Sequence, residues 1–501
     1  MKKQILFNGL LTLCLCTGIF CSSIFAQENE EGFKSIFNGT DLSGWKGDTA
    51  FWSVQDGAIT GQSTPDHPAE KNLFLVWEWG EVDDFILRLK YKVKDGNSGI
   101  QIRSALNEDG HAVGYQADLE SGPKYTGAIY DEHARGMLAA RGERTIISEK
   151  GEKKVEPIGN PDELLEKVKQ DDWNDYEIIA KGNHIQTKIN GQIMADVTDY
   201  QKDGFDRSGK LMLQIHSGPP MTVQFKDIQL KRLPLEDKKK IVLVAGRPSH
   251  GHMQHEHNAG VLLLKKCLLE SVSEDVLPAN YHNGWPQDPT AFDNADSILL
   301  FMDGGGNHPA IQENRLQDLE KLMKQGVGLA LVHYSVEVPG DRGGDEFLKW
   351  VGGFYETGYS TNPHWEAHFN EIPHHPVTTG VQPFIITDEW YFNIRFRPDM
   401  KGITPLLIAT PPDDVRRTEA AREHPGRPEI VSWCVERPDG GRGFGFTGAH
   451  FHVNWQHENF RKLVLNAILW TAKVEIPNDG VVCTVTEEDI MKNLDDKRRR
   501  N

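Results

Sequence analysis

The sequence predicts two unlike domains in one chain: an all-β sandwich or jelly roll, then an α/β domain with a mostly parallel sheet. Three observations predict it. From Phe33 to about Leu233 apolar residues recur at every second position. Beyond a charged bridge, short wholly apolar runs alternate with helical periodicities. And fifteen of the twenty histidines fall within residues 237–475. With 501 residues, 38% hydrophobic, the chain has room for several cores at roughly 100–200 residues per domain. A charged fraction of 26% and 12 tryptophans argue against both a membrane bundle and disorder, so a soluble globular protein is expected. The net charge of −18 lacks the positive face that a phosphate backbone requires, so nucleic acid is not an expected partner.

The N-terminus reads as a secretory signal peptide over residues 1–26. Lys2 and Lys3 precede an apolar run from Ile5 to Phe25, and a small residue, Ala26, stands before the acidic stretch that follows. Export to the periplasm or the extracellular space is expected, with no stable membrane insertion. The three cysteines beyond that cut, Cys267, Cys434 and Cys483, allow at most one disulfide, and no Cys-x-x-Cys pair exists for a zinc ribbon.

The first domain, residues 33–233, shows its period most clearly at Phe85, Leu87, Leu89, Tyr91 and Val93, with Arg88, Lys90 and Lys92 between them. That is a strand with one dry and one wet face. Asn190-Gly191 supplies the two positive φ angles of a tight hairpin. The change of parity from Val223 and Phe225 to Ile228 and Leu230 predicts a bulge. Trp45, Trp52 and Trp173 are expected in the core.

Residues 234–240 form the linker. In the second domain, residues 241–475, the runs at 241–245, 297–301, 329–332 and 403–409 suit strands covered on both faces. Leu316, Leu319, Leu322 and Met323, and later Phe460, Leu463, Val464, Ala467 and Ile468, have helical spacing. The polar stretch 413–427 reads as a lid or surface excursion, and 476–501 as a polar, frayed tail. The histidines collect where strands end: His250, His252, His255 and His257 after the first strand, His333 after the third run, and His450 and His452 after Gly443-Phe-Gly-Phe-Thr447. Strand carboxyl ends of such sheets converge on one cleft, where imidazoles can ligate a metal or shuttle protons. Each is also open to a purely structural reading. Gly304-Gly-Gly306 lacks the spacing of a pyrophosphate cradle, so no nucleotide cofactor is expected.

Six segments of this second domain resemble the trehalose-utilisation (ThuA-like) family, a flavodoxin-like relative of the class I glutamine amidotransferases. They are Ser249-His-Gly-His252, His255-Glu-His257, Val332-His-Tyr334, Asn362-Pro-His-Trp365, Asp388-Glu-Trp-Tyr391 and Gly448-Ala-His-Phe-His452. The resemblance implies that His333 stands at the elbow where amidotransferases carry their nucleophilic Cys, so ammonia-channelling chemistry is not expected. His250, His333, His450, His452 and Glu389 are the expected ligands of a divalent metal, with His252, Asp388, Trp390 and Tyr391 facing substrate.

The first domain carries Phe37-Asn-Gly-Thr-Asp-Leu-Ser-Gly-Trp45, Asn97-Ser-Gly-Ile-Gln-Ile-Arg103, Gly114-Tyr-Gln116, Thr126-Gly-Ala-Ile-Tyr130 and Trp173-Asn174. Together and in this order they resemble the 3-keto-disaccharide hydrolase domain, a concanavalin-like sandwich. The resemblance implies a glycoside already oxidised to a ketone at carbon 3 as substrate, with a separate sugar 3-dehydrogenase performing that oxidation. The ketone acidifies carbon 2, so a base can begin an elimination that expels the glycosidic oxygen from carbon 1, followed by hydration. Candidates are Arg103, Gln116, Asp118, Tyr130, Glu132, Arg135 and His216, with Glu120 and Asp131 nearby, and the base is left open among the carboxylates. Alternation puts Gln116, Asp118 and Glu120 on one strand face. An alternative reading makes the sandwich a non-catalytic sugar-binding module, with chemistry confined to the His-rich cleft.

Overall fold

The computed structural model describes residues 31–204 and 206–497, so the expected signal peptide lies outside the described residues. Two antiparallel sheets face each other across the first core. One has ten strands, with Phe85–Lys94 and Met221–Arg232 at its centre. The other has seven, in the order Gly136–Ala139, Ile129–Glu132, Ala112–Glu120, Asn97–Leu106, Lys210–Ile215, Leu73–Trp77, Trp45–Lys46. Among the described residues of this domain a single strand pair, Glu143–Ile147 with Gln192–Asp199, runs parallel. Phe85, Leu87, Leu89, Tyr91 and Val93 enter the core as their alternation requires. The hairpin at Asn190-Gly191 has φ of 49° and 79°, and the bulge falls between Lys226 and Gln229. Trp45 and Trp52 are buried. Trp173 corrects expectation: it is half-buried, with the Lys92 and Lys226 ammonium groups 5.4 and 4.1 Å from its ring centre.

The second domain has a seven-stranded mixed sheet. Val276–Tyr281, Lys239–Ala245, Ser297–Phe301, Gly328–Val332 and Arg442–Phe446 are parallel in that order, and Glu429–Glu436 and Ile403–Ala409 extend it antiparallel. The run at 403–409 is therefore an edge strand, with Ile408 43% exposed, instead of a buried parallel one. Helices His257–Val272 and Glu458–Thr471 cover one face, with Arg315–Lys324 on the other. The stretch 413–427 is pinned, not loose: the buried Arg416 donates to Glu429 at 2.7 Å. The tail also docks. Its Glu487–Met491 helix is capped by Thr486, and Cys483 is disulfide-bonded to Cys267. Among the described residues no helix is long and apolar enough to cross a membrane.

The domains meet through a buried charge network. Arg232 reaches Asp83 at 3.2 Å and Asp288 at 3.0 Å, the Tyr281 hydroxyl donates to Asp288 at 2.9 Å, and Lys240 pairs with Asp83. Burial lowers the Lys240 ammonium to a pKa of about 8. Removing one partner of a buried pair strands the others, so Arg232→Ala is expected to cost about 3–5 kcal/mol. An unchanged urea midpoint would refute this.

Candidate functional site

Two polar constellations stand out, one per domain. In the α/β domain, four ligand atoms from His255, His333, Glu389 and His450 lie within 4.8 Å of one another. The three histidines follow strands of the seven-stranded sheet at their carboxyl ends, and Glu389 follows Phe384–Asp388, which pairs with Trp365–Phe369 in a separate two-stranded sheet. His333 follows Gly328–Val332 directly, with φ of 54°, so the strand turns sharply into a short 3₁₀ helix, at the position where the resemblance implied an elbow. Gly304 makes room for that elbow: a Cβ there would lie 2.1 Å from the Tyr334 carbonyl oxygen. His255 also has a positive φ, 45°, and His450 follows Ala449 at 92°. Strain of this kind is held in place by surrounding contacts and gathers at functional sites.

The hydrogen bonds fix where the imidazole protons are. His333 Nδ1 lies 2.8 Å from the Thr447 carbonyl, which only accepts, so Nδ1 carries the proton. His255 Nδ1 lies 2.9 Å from the Asp303 carboxylate and is likewise the donor. In the neutral rings both Nε2 atoms are then bare lone pairs, yet they sit 3.0 Å apart. His450 Nδ1 is 3.0 Å from His255 Nε2, and Glu389 Oε2 is 3.2 Å from His450 Nδ1 and 3.6 Å from His333 Nε2. Burial first, then crowding by neighbouring imidazoles, holds His255 and His333 well below the usual histidine range. Acceptors facing acceptors repel unless a cation lies between them. Zinc-like bonds of about 2.0–2.1 Å imply donor separations of about 3.3–3.4 Å, close to those observed. The donor set therefore fits a divalent metal with nitrogen and oxygen ligands, and Asp303 and the Thr447 carbonyl supply the outer hydrogen bonds that such ligands ordinarily have.

Of the residues expected here, His333, His450 and Glu389 come together, and His255 joins them. His250 stacks on His255 with ring centres 3.6 Å apart and belongs with Asp303 to a neighbouring group. His452 stands outside. It is buried near Glu256 and the terminal helix, and burial lowers it to about 4. As the second histidine beyond the turn, it faces away from His450. Asp388 is fully buried and accepts from the Ala449 and His450 amides at 2.8 and 3.0 Å, so it anchors the turn and does not face substrate. Trp390 is core, packed on Phe369, Phe446 and Phe460, with Gly448 leaving room for its ring. Tyr391 does reach the centre, its hydroxyl 3.4 Å from His333 Nε2. His252 is exposed and touches none of the four ligands. His255 was legible only as one of four loop histidines, since sequence spacing does not say which of them turns inward.

In the sandwich, Tyr115, Ala117 and Leu119 point into the core, so Gln116, Asp118 and Glu120 face outward from the seven-stranded sheet. Neighbouring strands place Gln101 and Tyr130 opposite Gln116, and Glu132 opposite Gly114. Gln101 donates to Gln116 at 2.5 Å, and Gln116 donates to Asp118 at 2.6 Å. Gly99 lies across from Asp118, and the Gln116 amide occupies the space its Cβ would take. Burial first, with Glu132 and Glu120 adding repulsion against the Gln116 hydrogen bond, pushes the Asp118 carboxyl well above the carboxylate range. Asn72 donates to Glu132 at 3.4 Å and accepts from Ser217, whose carbonyl holds the His216 ring, so His216 stands at the same rim. Gln214, missed from the sequence, has both amide atoms buried and without a partner among the described residues; its alternation with the inward Leu213 and Ile215 was the available signal.

Both arginines correct expectation. Arg103 has φ of 49° in a bulge between Ile102 and Ala105, which breaks the alternation. Its guanidinium goes to Asp84, the Asp83 carbonyl and the Gly182 carbonyl, each at 2.7 Å. Arg135 is held by Asp131 at 2.5 Å and Asp199 at 2.7 Å, which removes Asp131 from the candidates as well.

Fold and constellations together define a β-sandwich with an acidic outer face, joined to an α/β domain with a histidine-carboxylate centre. Residues 32–231 match the family described as the 3-keto-alpha-glucoside-1,2-lyase-like domain, and residues 243–471 match the family described as trehalose utilisation, ThuA. The chain is a fusion of these two carbohydrate-related domains. Among solved structures it is similar to a candidate glycosyl hydrolase of Parabacteroides distasonis ATCC 8503 (18% identity, 40% of this chain and 99% of that one, TM-score 0.27). It is also similar to a carbohydrate-binding module of Bacillus subtilis (14%, 38% and 98%, TM-score 0.26). A third likeness is to a candidate ThuA-like protein of Bacteroides uniformis ATCC 8492 (13%, 48% and 94%, TM-score 0.35). No curated protein matches the sequence.

Proposed function

We propose that this is an exported carbohydrate-active enzyme whose sandwich cleaves glycosides oxidised to a ketone at carbon 3, and whose α/β domain acts on the keto-sugar at a metal centre held by His255, His333, His450 and Glu389. The carrying observation is Asp118: a buried carboxyl with a raised proton affinity, beside Glu132 and Tyr130, on the outer face of a sheet whose family is described by 3-keto-glucoside cleavage. A base with a raised proton affinity is what abstraction at carbon 2 requires. Asp118 takes that proton, leaving an enolate across carbons 2 and 3. The electron pair then returns to expel the glycosidic oxygen from carbon 1, and Tyr130 gives its proton to the departing oxygen. Glu132 takes a proton from the water that adds at carbon 1, the protonated Asp118 gives a proton to carbon 2, and Glu132 passes its proton back to Tyr130. A separate sugar 3-dehydrogenase supplies the ketone.

At the second centre His255, His333, His450 and Glu389 would hold a zinc-like cation, which would supply Lewis acidity toward a carbonyl oxygen. Around it, Asn362 orients Glu389 from 3.3 Å, and His250, partly exposed and stacked on His255, is placed to move protons at the rim. The convergence of three imidazoles favours a second reading, in which the sandwich only binds sugar and the chemistry is all here.

Proton NMR of a 3-keto-disaccharide in deuterated water separates the two. Deuterium at carbon 2 with sugar release, retained in His333→Ala and lost in Asp118→Asn, is the expected result. Loss in His333→Ala alone favours the second reading, and no exchange or release with any variant sinks both. Asp303→Ala, which leaves His255 Nδ1 without its acceptor, is expected to weaken zinc affinity by about 10–100-fold in a competition with a coloured chelator. Unaltered affinity would contradict the assigned role of Asp303.

A further inference from the structure

Between the domains lies a cleft of about 740 Å³, and beside it a polar cavity of about 390 Å³ that ends on Asp303, the partner of His255. Arg247, Asn283, Trp285 and Gln287 line both, so the two spaces adjoin. Either volume is in the range of small-molecule sites, about 300–1,000 Å³. The sandwich contributes Trp79 and Glu81 to the cleft, and the α/β domain contributes Trp285 and Arg247.

Several features mark this as a built site. Trp79 rests on Gly44, where a Cβ would come within 2.6 Å of the indole, so the glycine in the Ser43-Gly44-Trp45 motif exists to seat it. Gly80 packs against Asp288 of the other domain, which fixes the loop that carries Trp79 onto the charge network at the junction. Trp285 is steadied by the Arg315 guanidinium 5.2 Å from its ring centre and by Phe292 at 5.2 Å. In the cleft wall the Asn280 amide has both polar atoms buried without a partner, and the exposed Arg247 makes no ion pair among the described residues. Indole faces take the C–H faces of pyranose rings, while amides, carboxylates and guanidinium groups take hydroxyl and carbonyl oxygens.

We infer that the interdomain cleft is a saccharide-binding site, built by both domains, that delivers a sugar of at least two rings toward the α/β centre. The inference rests on the reading of that centre as acting on a sugar. Trp285 holds the ring nearer Asp303, and Trp79 holds the outer ring.

The test is calorimetric titration of the full mature protein with trehalose and with glucose, beside metal content and the deuterium exchange described above. Trehalose is expected to bind, with Trp79→Ala and Trp285→Ala each weakening it by tenfold or more while metal content and exchange stay at wild-type levels. Trp79→Ala is expected to leave glucose unaffected. Arg247→Gln, an exposed change, serves if an indole variant fails to fold, and is expected to weaken trehalose by at least fivefold. No trehalose binding by the wild type, or equal binding by the folded variants, overturns the inference. Failure of the proposed function shows separately, as absent exchange or absent metal.

Discussion

Alanine at His333 is expected to empty the α/β centre of metal. Wild-type protein loaded with zinc should hold one ion per chain after dialysis, and the variant less than a tenth of that, by elemental analysis. His333 is fully buried at the elbow, with Nδ1 committed to the Thr447 carbonyl and Nε2 facing the other ligands. Its removal leaves a weaker set of two imidazoles and one carboxylate around a gap that no neighbour fills. Loss of an outer partner already costs about 10–100-fold in affinity, so loss of a direct ligand should exceed that. The control is His452→Ala: it sits outside the group and should retain its zinc. Equal zinc in His333→Ala and wild type would refute the centre.

Asp118→Asn is expected to lower sandwich turnover by about 10²–10⁴-fold, the range for loss of a general base. The same change should leave the protein as stable as wild type, or more so, at neutral pH. The sign follows from linkage. The Asp118 carboxyl has a higher pKa in the folded chain than its ordinary 3.8, so above that value the unfolded chain releases the proton first. Stability is therefore withdrawn as pH rises from about 3.8 toward the folded pKa, and stays reduced above it. Asparagine carries no charge to bury and still accepts from Gln116, so the penalty disappears. A merely structural carboxylate would show the opposite pattern, with stability falling along with activity. Thermal melts of both proteins from pH 4 to 8 distinguish the cases, and a variant that is active or markedly less stable at pH 7 removes Asp118 from the role.

Local periodicity made the architecture legible. The alternation at Phe85–Val93, the Asn190-Gly191 turn and the parity change before Ile228 each state their geometry in consecutive residues. The outer face of the sandwich was legible for the same reason, since Gln116, Asp118 and Glu120 follow a simple period of two. Where alternation breaks, inference broke with it: the bulge after Ile102 sends Arg103 into a pocket of backbone carbonyls. In the α/β domain the strand ends announced where the histidines gather but not their directions. His255 and His450 turn inward and His452 away because positive φ angles at His255 and Ala449 reorient the chain, and such angles on non-glycine residues leave no compositional mark. Trp390 was expected to face substrate because an aromatic residue beside a carboxylate has the same appearance in a core as in a site.

The docked tail makes the loop that carries His255 a closed circuit. The loop 250–257 leads into the helix that carries Cys267; the disulfide passes to Cys483; and the tail runs back so that the Asp495 amide and Lys497 both meet Glu256, at 2.9 and 3.1 Å. Lys497 also donates to the Gly251 carbonyl at 3.2 Å. The loop is thus clasped at both ends by segments more than two hundred residues apart in sequence. Such a clasp would govern how long an ion at the proposed centre stays, by suppressing the openings through which it escapes. Cys483→Ser should therefore release zinc faster into excess chelator while its equilibrium occupancy in the absence of chelator is little altered. A redox-sensitive bond would then serve as the latch on a proposed centre whose ligands include no sulfur.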